Sequence, residues 1–423
     1  MGNDYRITKI GEVASSISET HKFGKEQLIF LNTSDILHGK FLHHTYSAVK
    51  DWPGQAKKSI RKEDILFSEI RPANGRWAYV AHDADDFVVS TKLMVIRAKQ
   101  DLLFPKFLYQ FLTSSAITKW LQHLAESRSG TFPQITFDQV STLELPLPPL
   151  AEQKAIAAVL GALDDKIELN KRMNATMEAM ARALFQSWFV DFDPVREKVS
   201  GRKPKGMDAA TAALFPASFQ DSPLGKIPKG WSTIPVYEVA TYLNGLAFRA
   251  DDFCEPTNGL PVIKIAELKS GIDKQTKFTA VEQPKQYRIS DGDLLFSWSG
   301  SPETSIDIFT WTGIDGWLNQ HIFKISHQPP IGRATLFALL KNLKPEFIEI
   351  ARNKQTTGLG HVTVQDLKRM RVVNASSEIW LQFESMTAPI FNQMLNNLRE
   401  TRTLARIRDT LLPKLLSGEL AIK

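Results

Sequence analysis

The sequence has almost no cysteine and no long apolar run. Cys254 is the only cysteine among 423 residues, which excludes an internal disulfide framework. No apolar stretch approaches the ~18 residues that a membrane-spanning helix needs. The first residues have no apolar segment of the secretory type, and Arg6 stands where a myristoylation signal requires Ser or Thr. These absences predict a soluble cytoplasmic protein with no membrane partner.

Catalytic signatures are missing as well. There is no Gly-x-x-x-x-Gly-Lys-Ser/Thr run, which excludes a nucleotide-hydrolysing motor of that type. Residues 358–360 are a lone Gly-x-Gly that follows a predicted helix, whereas a dinucleotide fingerprint follows a strand. Asp193-Pro194 lacks the second proline and the aromatic residue of an adenine-methyltransferase tetrapeptide. We therefore predict no catalytic residue and no cofactor bound by this chain.

Metal-ligand patterns are equally weak. The acidic residues between 191 and 197 superficially resemble a nuclease cluster, but they lie in a loop-like segment and are not repeated. The adjacent histidines at 43–44 would point to opposite faces of a strand. His321 and His361 each stand alone, which is more typical of polar surface or core residues than of ligands. We predict no metal site.

The charge balance is slightly basic. Lys and Arg number 52 against 46 Asp and Glu, which gives a formal net charge of +6. This sign is the one expected for a polyanion partner, although many basic proteins bind nothing anionic.

The strongest positive feature is a duplication. Residues 60–68 end in an acidic residue, an aliphatic pair and Phe-Ser, and residues 289–297 repeat that pattern. The register continues through residues 12–14 and 238–240, and through glycines 130 and 358. A repeat of roughly two hundred residues is far longer than the ~20–50 residues of a solenoid unit, so each copy is a domain with an appendage.

Each copy begins with short stretches that alternate between apolar and polar residues. These stretches are β-branched or aromatic and are separated by Gly, Pro, Asn and Asp, which predicts strands and turns. One helix interrupts each set, over residues 105–124 in the first copy and about 334–353 in the second. The pattern predicts two pseudo-repeated α+β domains.

After each domain the apolar spacing changes to alternating threes and fours, which is the heptad pattern of a coiled coil. A helix over 151–189 would be roughly 55–60 Å long, far longer than one small domain can cover. The two helices are therefore predicted to be partners. The first seam is Ile156, Leu160, Leu163, Ile167, Asn170, Asn174, Met177, Ala181, Leu184 and Trp188, and the second is Phe383, Ile390, Met394, Asn397, Thr401, Leu404, Arg408, Leu411 and Leu415.

Asn170 and Asn397 occupy the same position in the two seams. A buried asparagine costs stability but fixes the register of a coiled coil, so an Asn pair is predicted to lock the alignment of the helices. The alternative is a solvated Asn beside a loosened seam.

Pro389 lies six residues after Phe383 in the second seam. A proline in a helix interior costs about 3 kcal/mol or forces a kink. The second helix is therefore expected to start or bend near Pro389.

Proline, glycine and basic residues are frequent between Asp191 and Trp231. This composition predicts a solvated connector between the copies, with contact to DNA phosphates as the alternative. The predicted organisation is a first α+β domain at 1–147, a first long helix at 148–190, a connector at 191–229, a second α+β domain at 230–375 and a second long helix at 376–423.

Two polar loops recur at equivalent places in the copies. One spans 126–134 and 353–361, and the other follows each Phe-Ser. Arg pairs with guanine and Asn or Gln with adenine, so these residue types suit base reading. The copies share an apolar framework but differ in these polar residues, as two readers of different sequences would; the alternative is that loops simply diverge faster than cores. The candidate contacts are Arg71, Asn74, Arg76, Arg128, Ser129, Thr131, Gln134, Ser299, Ser301, Lys354, Gln355, Thr356, Thr357 and His361.

Several runs resemble type I restriction-modification specificity subunits. They are residues 145–157, reading LPLPPLAEQKAIA, with LDDKI at 163–167, FVDFDPV at 189–195, Gly230-Trp231 and LLPKLLSGEL at 411–420. The resemblance covers essentially the whole chain.

The resemblance implies two target-recognition domains that each read half of a bipartite site in double-stranded DNA, with two antiparallel helices between them acting as a ruler. It also implies a subunit without catalytic activity. Two methyltransferase subunits that bind S-adenosylmethionine and methylate adenine N6 would dock on it, and nuclease-translocase subunits using ATP and Mg²⁺ would complete the complex.

The second copy departs from the family pattern at 374–382, where only Gln382 matches the run at 148–153. The start of the second spacer helix therefore has no motif match. Two rival interpretations remain: an enzyme with fused recognition domains, for which the chain has no room, and a coiled-coil scaffold that binds only protein. Salt-dependent DNA affinity would separate the scaffold from a DNA-binding protein.

Overall fold

The computed structural model describes residues 5–128, 133–355 and 358–420, without the side chain of Arg128. Within it the chain forms two units. The first comprises Met1–Lys166 and Leu404–Lys423, and the second comprises Ile167–Thr403. Both are α+β, which confirms the predicted fold class, and each long helix contributes residues to both units.

The first unit contains twelve strands and four short helices in the part of the chain that the structure describes. Its strands are β1 Arg6–Lys9, β2 Ala14–Ile17, β3 Gln27–Leu31, β4 Ile36–Leu37, β5 Lys40–Phe41, β6 Ser47–Ala48, β7 Ala56–Ser59, β8 Ile65–Ser68, β9 Trp77–Tyr79, β10 Phe87–Ser90, β11 Leu93–Ala98 and β12 Glu144–Leu147. Its helices are α1 Ile10–Val13, α2 Pro105–Leu112, α3 Ser115–Arg128 and α4 Phe137–Ser141, followed by the long α5 Leu150–Phe189.

The second unit repeats this order after an additional segment. Its strands are β13 Phe219–Ser222, β14 Gly225–Pro228, β15 Ser232–Pro235, β16 Ala240–Asn244, β17 Leu260–Ile263, β18 Phe278–Thr279, β19 Arg288–Ile289, β20 Leu294–Ser297, β21 Ser299–Gly300, β22 Asp307–Thr310, β23 Gly316–Leu318, β24 Ile322–His327, β25 Gly360–His361 and β26 Arg371–Asn374. Its helices are α6 Asp193–Val199, α7 Ala209–Leu214, α8 Ile265–Ser270, α9 Pro302–Ser305, α10 Arg333–Asn342, α11 Lys344–Asn353, α12 Val364–Arg369 and the long α13 Ser377–Leu416.

The sheets of the two units match one another. The order β2-β11-β8-β9 in the first unit corresponds to β16-β24-β20-β22 in the second. The sheets β6-β3-β10-β7 and β18-β17-β23-β19 correspond in the same way, as do the pairs β1-β12 and β15-β26. The duplication predicted from the sequence is confirmed.

The acidic residue of the repeated phrase has a structural role in both units. Asp64 is fully buried, accepts a hydrogen bond from the backbone N–H of Arg61 at 2.9 Å and forms an ion pair with Arg97 at 2.7 Å. Asp293 accepts from the backbone N–H of Ser290 at 2.8 Å and pairs with Lys324 at 2.7 Å. Each carboxylate therefore fixes the turn before the strand and ties it to the next strand of the sheet.

The predicted single helix within each domain is two helices. In the first unit α2 ends at Leu112 and α3 begins at Ser115, and the Thr113 hydroxyl between them donates to the Tyr109 carbonyl at 2.8 Å. In the second unit Pro345 lies in the first turn of α11 and has no N–H to continue α10. The first break is explained by a hydroxyl side chain that competes for a backbone carbonyl, and the second is explained by a proline.

The long helices α5 and α13 pair in antiparallel fashion within each unit. In the second unit the Asn174 amide donates to the Met394 carbonyl at 3.0 Å, and the Phe185 and Phe383 ring centroids are 5.9 Å apart. In the first unit Arg408 donates to Asp164 at 2.8 Å. None of the predicted seam residues is exposed, which confirms the heptad interpretation.

Asn170 and Asn397 are both buried in the seam, but their hydrogen bonds lead to different residues. The Asn170 amide donates to Glu400 at 2.8 Å, and the Asn397 amide donates to Asn174 at 2.9 Å. The two asparagines therefore do not bond to each other, and the predicted Asn pair is wrong. Because the helices run antiparallel, equivalent positions in the repeat do not lie opposite one another.

The second long helix starts well before Pro389. It begins at Ser377, so of the two expectations, a start or a bend near Pro389, the start is wrong. Trp380 and Phe383 in the first turns are fully buried in the core of the second unit. Burying such side chains stabilises a fold by about 2–3 kcal/mol each, which is enough to offset a proline in the helix interior.

The predicted connector is an ordered part of the second unit. It forms α6, α7 and the β13–β14 hairpin, and Val195 and Phe215 lie in the hydrophobic core. Two of its basic side chains bind the segment itself: Lys198 donates to the Ala212 carbonyl at 3.0 Å and Arg202 to Glu197 at 2.7 Å. The prediction of a solvated connector is wrong because apolar residues between the prolines anchor it to the core.

Asp307 is the centre of a half-buried charge cluster in the second unit. Its carboxylate lies 3.0 Å from Lys341 and 2.6 Å from Lys344. Burial alone would raise the pKa of the Asp307 carboxyl, but the two lysines outweigh burial and hold it below its usual value. A lowered pKa in the folded state stabilises the fold above the unfolded pKa of about 4, and this stabilisation is lost as the pH falls through the folded pKa.

We expect Asp307→Asn to destabilise the second unit by about 1–2 kcal/mol at neutral pH, because buried Lys341 loses a charged partner. Below about pH 5 the variant should lose stability less steeply than the wild type. Urea denaturation across that pH range measures both effects. Asp315→Asn is the matched control, since it removes a carboxylate from a more exposed pair with Arg288 (2.8 Å). An equal pH slope in wild type and Asp307→Asn would contradict this account.

Candidate nucleic-acid interface

The two candidate loops of the first unit lie side by side. Ile70, just after β8, forms an antiparallel bridge with Gln134. The backbone N–H of Arg71 donates to the Pro133 carbonyl at 3.1 Å, and that of Ile135 donates to the Glu69 carbonyl at 2.9 Å. Residues that are more than sixty positions apart in the sequence therefore form one surface.

The second unit makes the same junction with its own loops. Strand β21 pairs with β25, so Ser299 lies opposite His361 and Gly300 opposite Gly360. The backbone N–H of Val362 donates to the Trp298 carbonyl at 2.8 Å. Both units thus join the loop after Phe-Ser to the second polar loop, which the sequence did not predict.

Arg71 and Asn74 are exposed at the turn that opens the first of these loops. The turn is a short 3-10 helix, Pro72–Asn74, and Arg71 before it has a left-handed backbone with φ 43°. Arg76 differs, because its guanidinium donates to the carbonyls of Ser34 at 2.8 Å and Ile36 at 3.1 Å. Arg71 and Asn74 are therefore accessible at the surface, whereas Arg76 binds the protein's own backbone and braces the β4–β5 hairpin.

The candidate residues of the second unit also divide into two groups. Lys354 forms an ion pair with Asp366, with an N–O distance of 2.6 Å, and the Gln355 amide donates to the Gly358 carbonyl at 2.8 Å. These two side chains stabilise their own loop. Ser299, Ser301 and His361 are half-buried along the junction of the two loops.

Five further candidates, Arg128, Ser129, Thr131, Thr356 and Thr357, lie outside the residues or side chains that the structure describes. Their assignment as DNA contacts stays a prediction.

His38 is a residue at this surface that sequence reasoning missed. It is exposed at the β4–β5 turn with φ 45°, and its ring centroid is 5.5 Å from that of Trp77. Its backbone N–H donates to the Gly75 carbonyl at 2.7 Å, and a Cβ on Gly75 would lie 2.1 Å from the His38 ring. Gly75 thus allows His38 to lie beside the Arg71–Asn74 turn. The positive backbone angles at residues 38 and 75 leave only a weak sequence signal.

The acidic residues near the end of α5 take part in local contacts. Asp191 accepts from Gln186 at 3.0 Å and Asp193 from Ser187 at 2.7 Å. Among the described residues, no three His, Cys, Asp or Glu side chains are grouped so as to hold a metal ion. Over the same ranges, no helix combines the length and apolar character needed to cross a membrane.

Comparison with known sequences gives one family. The sequence model described as "Type I restriction modification DNA specificity domain" matches residues 3–179 and 228–373, so each copy has its own match. The HindI specificity subunit of Haemophilus influenzae is 33% identical over 99% of this chain and 100% of that protein. The MjaIX specificity subunit of Methanocaldococcus jannaschii is 24% identical over 99% and 93%.

Comparison of folds agrees with the sequence match. The S subunit of a type I restriction-modification system from M. genitalium aligns over 98% of this chain and 97% of that chain. The TM-score is 0.53 at 17% identity, so this likeness concerns the fold alone.

Proposed function

Since the chain belongs to the family of type I restriction-modification specificity subunits, we propose that it reads a bipartite DNA site, one half-site with each unit. The observation that carries this proposal is the matched loop junction, at residues 70 and 134 in the first unit and at Ser299 and His361 in the second. The framework is repeated while the exposed side chains differ. Such an arrangement suits two readers with different base preferences.

The two long helices set the gap between the half-sites in this proposal. Each helix has 40 residues, and the pair is antiparallel with a polar layer in its seam around Asn170 and Asn397. A paired helix has a nearly fixed length, at ~1.5 Å per residue, so it can serve as a ruler. The two buried asparagines are proposed to hold its register.

Partner subunits supply the chemistry. We propose that two methyltransferase subunits using S-adenosylmethionine, and nuclease-translocase subunits using ATP and Mg²⁺, dock on this chain, which contributes no catalytic group. Leu169, Met173 and Met180 on α5 are 42%, 38% and 54% exposed. Their spacing of four and seven residues forms an apolar stripe that suits a partner helix.

Long-read methylome sequencing tests the proposal. The full chain is expressed with a cognate methyltransferase subunit in a host that lacks the system, and each subunit alone serves as a control. We expect adenine methylation at a two-part motif with a fixed gap only when both subunits are present. Soluble, co-purifying subunits without a new motif would refute the proposal and favour the protein-only scaffold.

Lengthening both helices should lengthen the gap. We expect seven residues inserted between Ile167 and Glu168, and seven more between Thr403 and Leu404, to add on the order of three base pairs, since a heptad adds ~10 Å and base pairs are spaced ~3.4 Å apart. These points lie between the Asp164–Arg408 and Asn170–Glu400 contacts, so the seam stays in phase. The methylome of this variant gives the new gap.

A heptad inserted into one helix alone is the control for the ruler. This insertion puts the seam residues of the two helices out of register, so it should abolish methylation without creating a new motif. Unchanged spacing in the double insertion would refute the ruler.

A further inference from the structure

Two strands of the second unit, β16 and β20, end at one edge of the sheet β16-β24-β20-β22, and strand β24 begins there. Strand β16 ends at Asn244, which is paired with Phe323 of β24. Strand β20 ends at Ser297, which is paired with Ile322 at the start of β24. Asn244, Trp298 and His321 therefore lie together on rigid strand ends, a placement that the separate positions in the sequence do not indicate.

Side-chain contacts join these residues. The indole N–H of Trp298 donates to Oδ1 of Asn244 at 2.9 Å, and the Trp298 and His321 ring centroids are 5.8 Å apart. Asn244 and His321 are exposed, and Trp298 is half-buried. The indole can only donate, so it bonds the amide oxygen and fixes which way the Asn244 amide faces.

The same edge continues into the candidate loops. The Trp298 carbonyl accepts from Val362, next to His361, and Ser299 follows in β21. Asn244 therefore belongs to the surface formed by the two loops, although it lies on a strand.

The first unit has the same backbone at this edge but other side chains. In the first unit the backbone N–H of Glu69 donates to the Lys92 carbonyl at 3.0 Å, and that of Ile135 donates to the Glu69 carbonyl at 2.9 Å. In the second unit the corresponding bonds run from the N–H of Trp298 to the His321 carbonyl at 3.4 Å and from the N–H of Val362 to the Trp298 carbonyl at 2.8 Å. The Glu69 and Lys92 side chains form an ion pair at 3.7 Å, and Ser18 occupies the position of Asn244.

The backbone hydrogen bonds are retained, so the two units differ here in their side chains and not in the course of the backbone. Positions at which a repeated framework keeps its backbone but exchanges exposed polar side chains are suited to reading different bases. An asparagine amide with fixed orientation offers the acceptor and donor that pair with adenine N6 and N7.

We propose that Asn244 is a specificity-determining residue of the second unit that reads an adenine edge in the major groove, and that Trp298 positions its amide. This inference rests on the proposed function. A carboxylate in place of the amide keeps the acceptors and loses the donor to N7, and carboxylates suit the cytosine amino group instead.

Asn244→Asp tests the reading role in the full chain with its methyltransferase subunits. By methylome sequencing we expect one position of the second half-site to lose its preference for adenine by about fivefold to a hundredfold. The first half-site and the gap should not change. The control is Asn396→Asp, the same exchange at an exposed residue of α13, which should leave the motif intact.

Trp298→Phe tests the positioning role, because it keeps the ring and removes the N–H. Discrimination should weaken at the position affected by Asn244→Asp and at no other, with the melting temperature of the second unit nearly unchanged. A purely structural role would instead lower the melting temperature and reduce methylation uniformly.

The outcomes separate this inference from the proposed function. If wild type methylates a two-part motif and Asn244→Asp retains every base preference, the reading role is refuted while the function stands. If wild type shows no two-part motif, the function itself fails.

Discussion

Replacing Gly360 by alanine is expected to reduce methylation of the two-part site by about a hundredfold. The added Cβ would lie 2.1 Å from the carbonyl oxygen of Ala351 and 2.6 Å from its carbon, which are backbone atoms of α11. Either α11 or β25 must move, so the pairing of Gly360 with Gly300 is disturbed. A displacement of about 1 Å in a positioned substrate costs roughly this factor in rate.

The measurement is the initial rate of adenine methylation by the assembled complex on a DNA fragment with one site. Leu359→Ala is the control: Leu359 is 58% exposed, so the variant alters the same loop without a clash and should stay within about twofold of wild type. Normal rates for Gly360→Ala would show that the loop junction does not hold the second reading surface.

The second large effect is expected at Gln153, a fully buried side chain at the start of α5. Its oxygen accepts from the backbone N–H of Phe104 at 2.7 Å, and its amide donates to the carbonyls of Leu102 at 3.0 Å and Pro148 at 2.8 Å. Leucine has a similar volume and can satisfy none of these groups. We expect Gln153→Leu to lower the stability of the first unit by about 3 kcal/mol, because each unsatisfied buried group costs about 1–3 kcal/mol.

Hydrogen exchange at the Phe104 amide and along α2 measures this loss, since about 3 kcal/mol corresponds to roughly a hundredfold faster exchange through unfolding of the unit. Gln382→Leu is the matched control, because Gln382 makes a single side-chain bond, to Thr211 at 2.9 Å. It should cost about 1 kcal/mol. Similar costs at both positions would contradict the anchoring role of Gln153.

The family departure at residues 374–382 is compensated by Glu384. Its carboxylate accepts from the backbone N–H groups of Ala334 at 3.2 Å and Thr335 at 2.8 Å, and from the Thr335 hydroxyl at 2.8 Å. The first turn of α10 is thereby tied to α13, much as Gln153 ties the first turn of α2 to α5. The same tie is made by a different residue, which a motif comparison by position does not reveal.

Periodic and repeated features could be predicted from the sequence. The seam residues, the repeated phrase and the α+β class follow from spacing that burial imposes locally. The partners of Asn170 and Asn397 could not, because antiparallel pairing brings Glu400 and Asn174 to them instead. The helix through Pro389 depends on the burial of distant Trp380 and Phe383, which local propensity does not include.

The residue types of the candidate surface could be predicted from the sequence, but their arrangement in space could not. Arg71, Asn74 and His361 belong to polar loops that the repeat singles out, and the structure places them near the loop junctions. His38 and Asn244 lie there through a tight turn and a strand end, and contacts over long sequence distances bring them to that surface. Arg76 and Lys354 have suitable chemistry for DNA, yet each binds the protein itself.

The first unit combines an early and a late segment of the chain, and this affects the order in which the chain can fold during synthesis. Leu415 and Leu416, at the end of α13, are 1% and 7% exposed in the same core as Ile156 and Leu160. At ~5–20 residues per second, the ribosome needs on the order of tens of seconds after the first long helix emerges to deliver them. The domain made first is thus completed last, and until then the nascent chain presents an open apolar face to chaperones and to neighbouring chains.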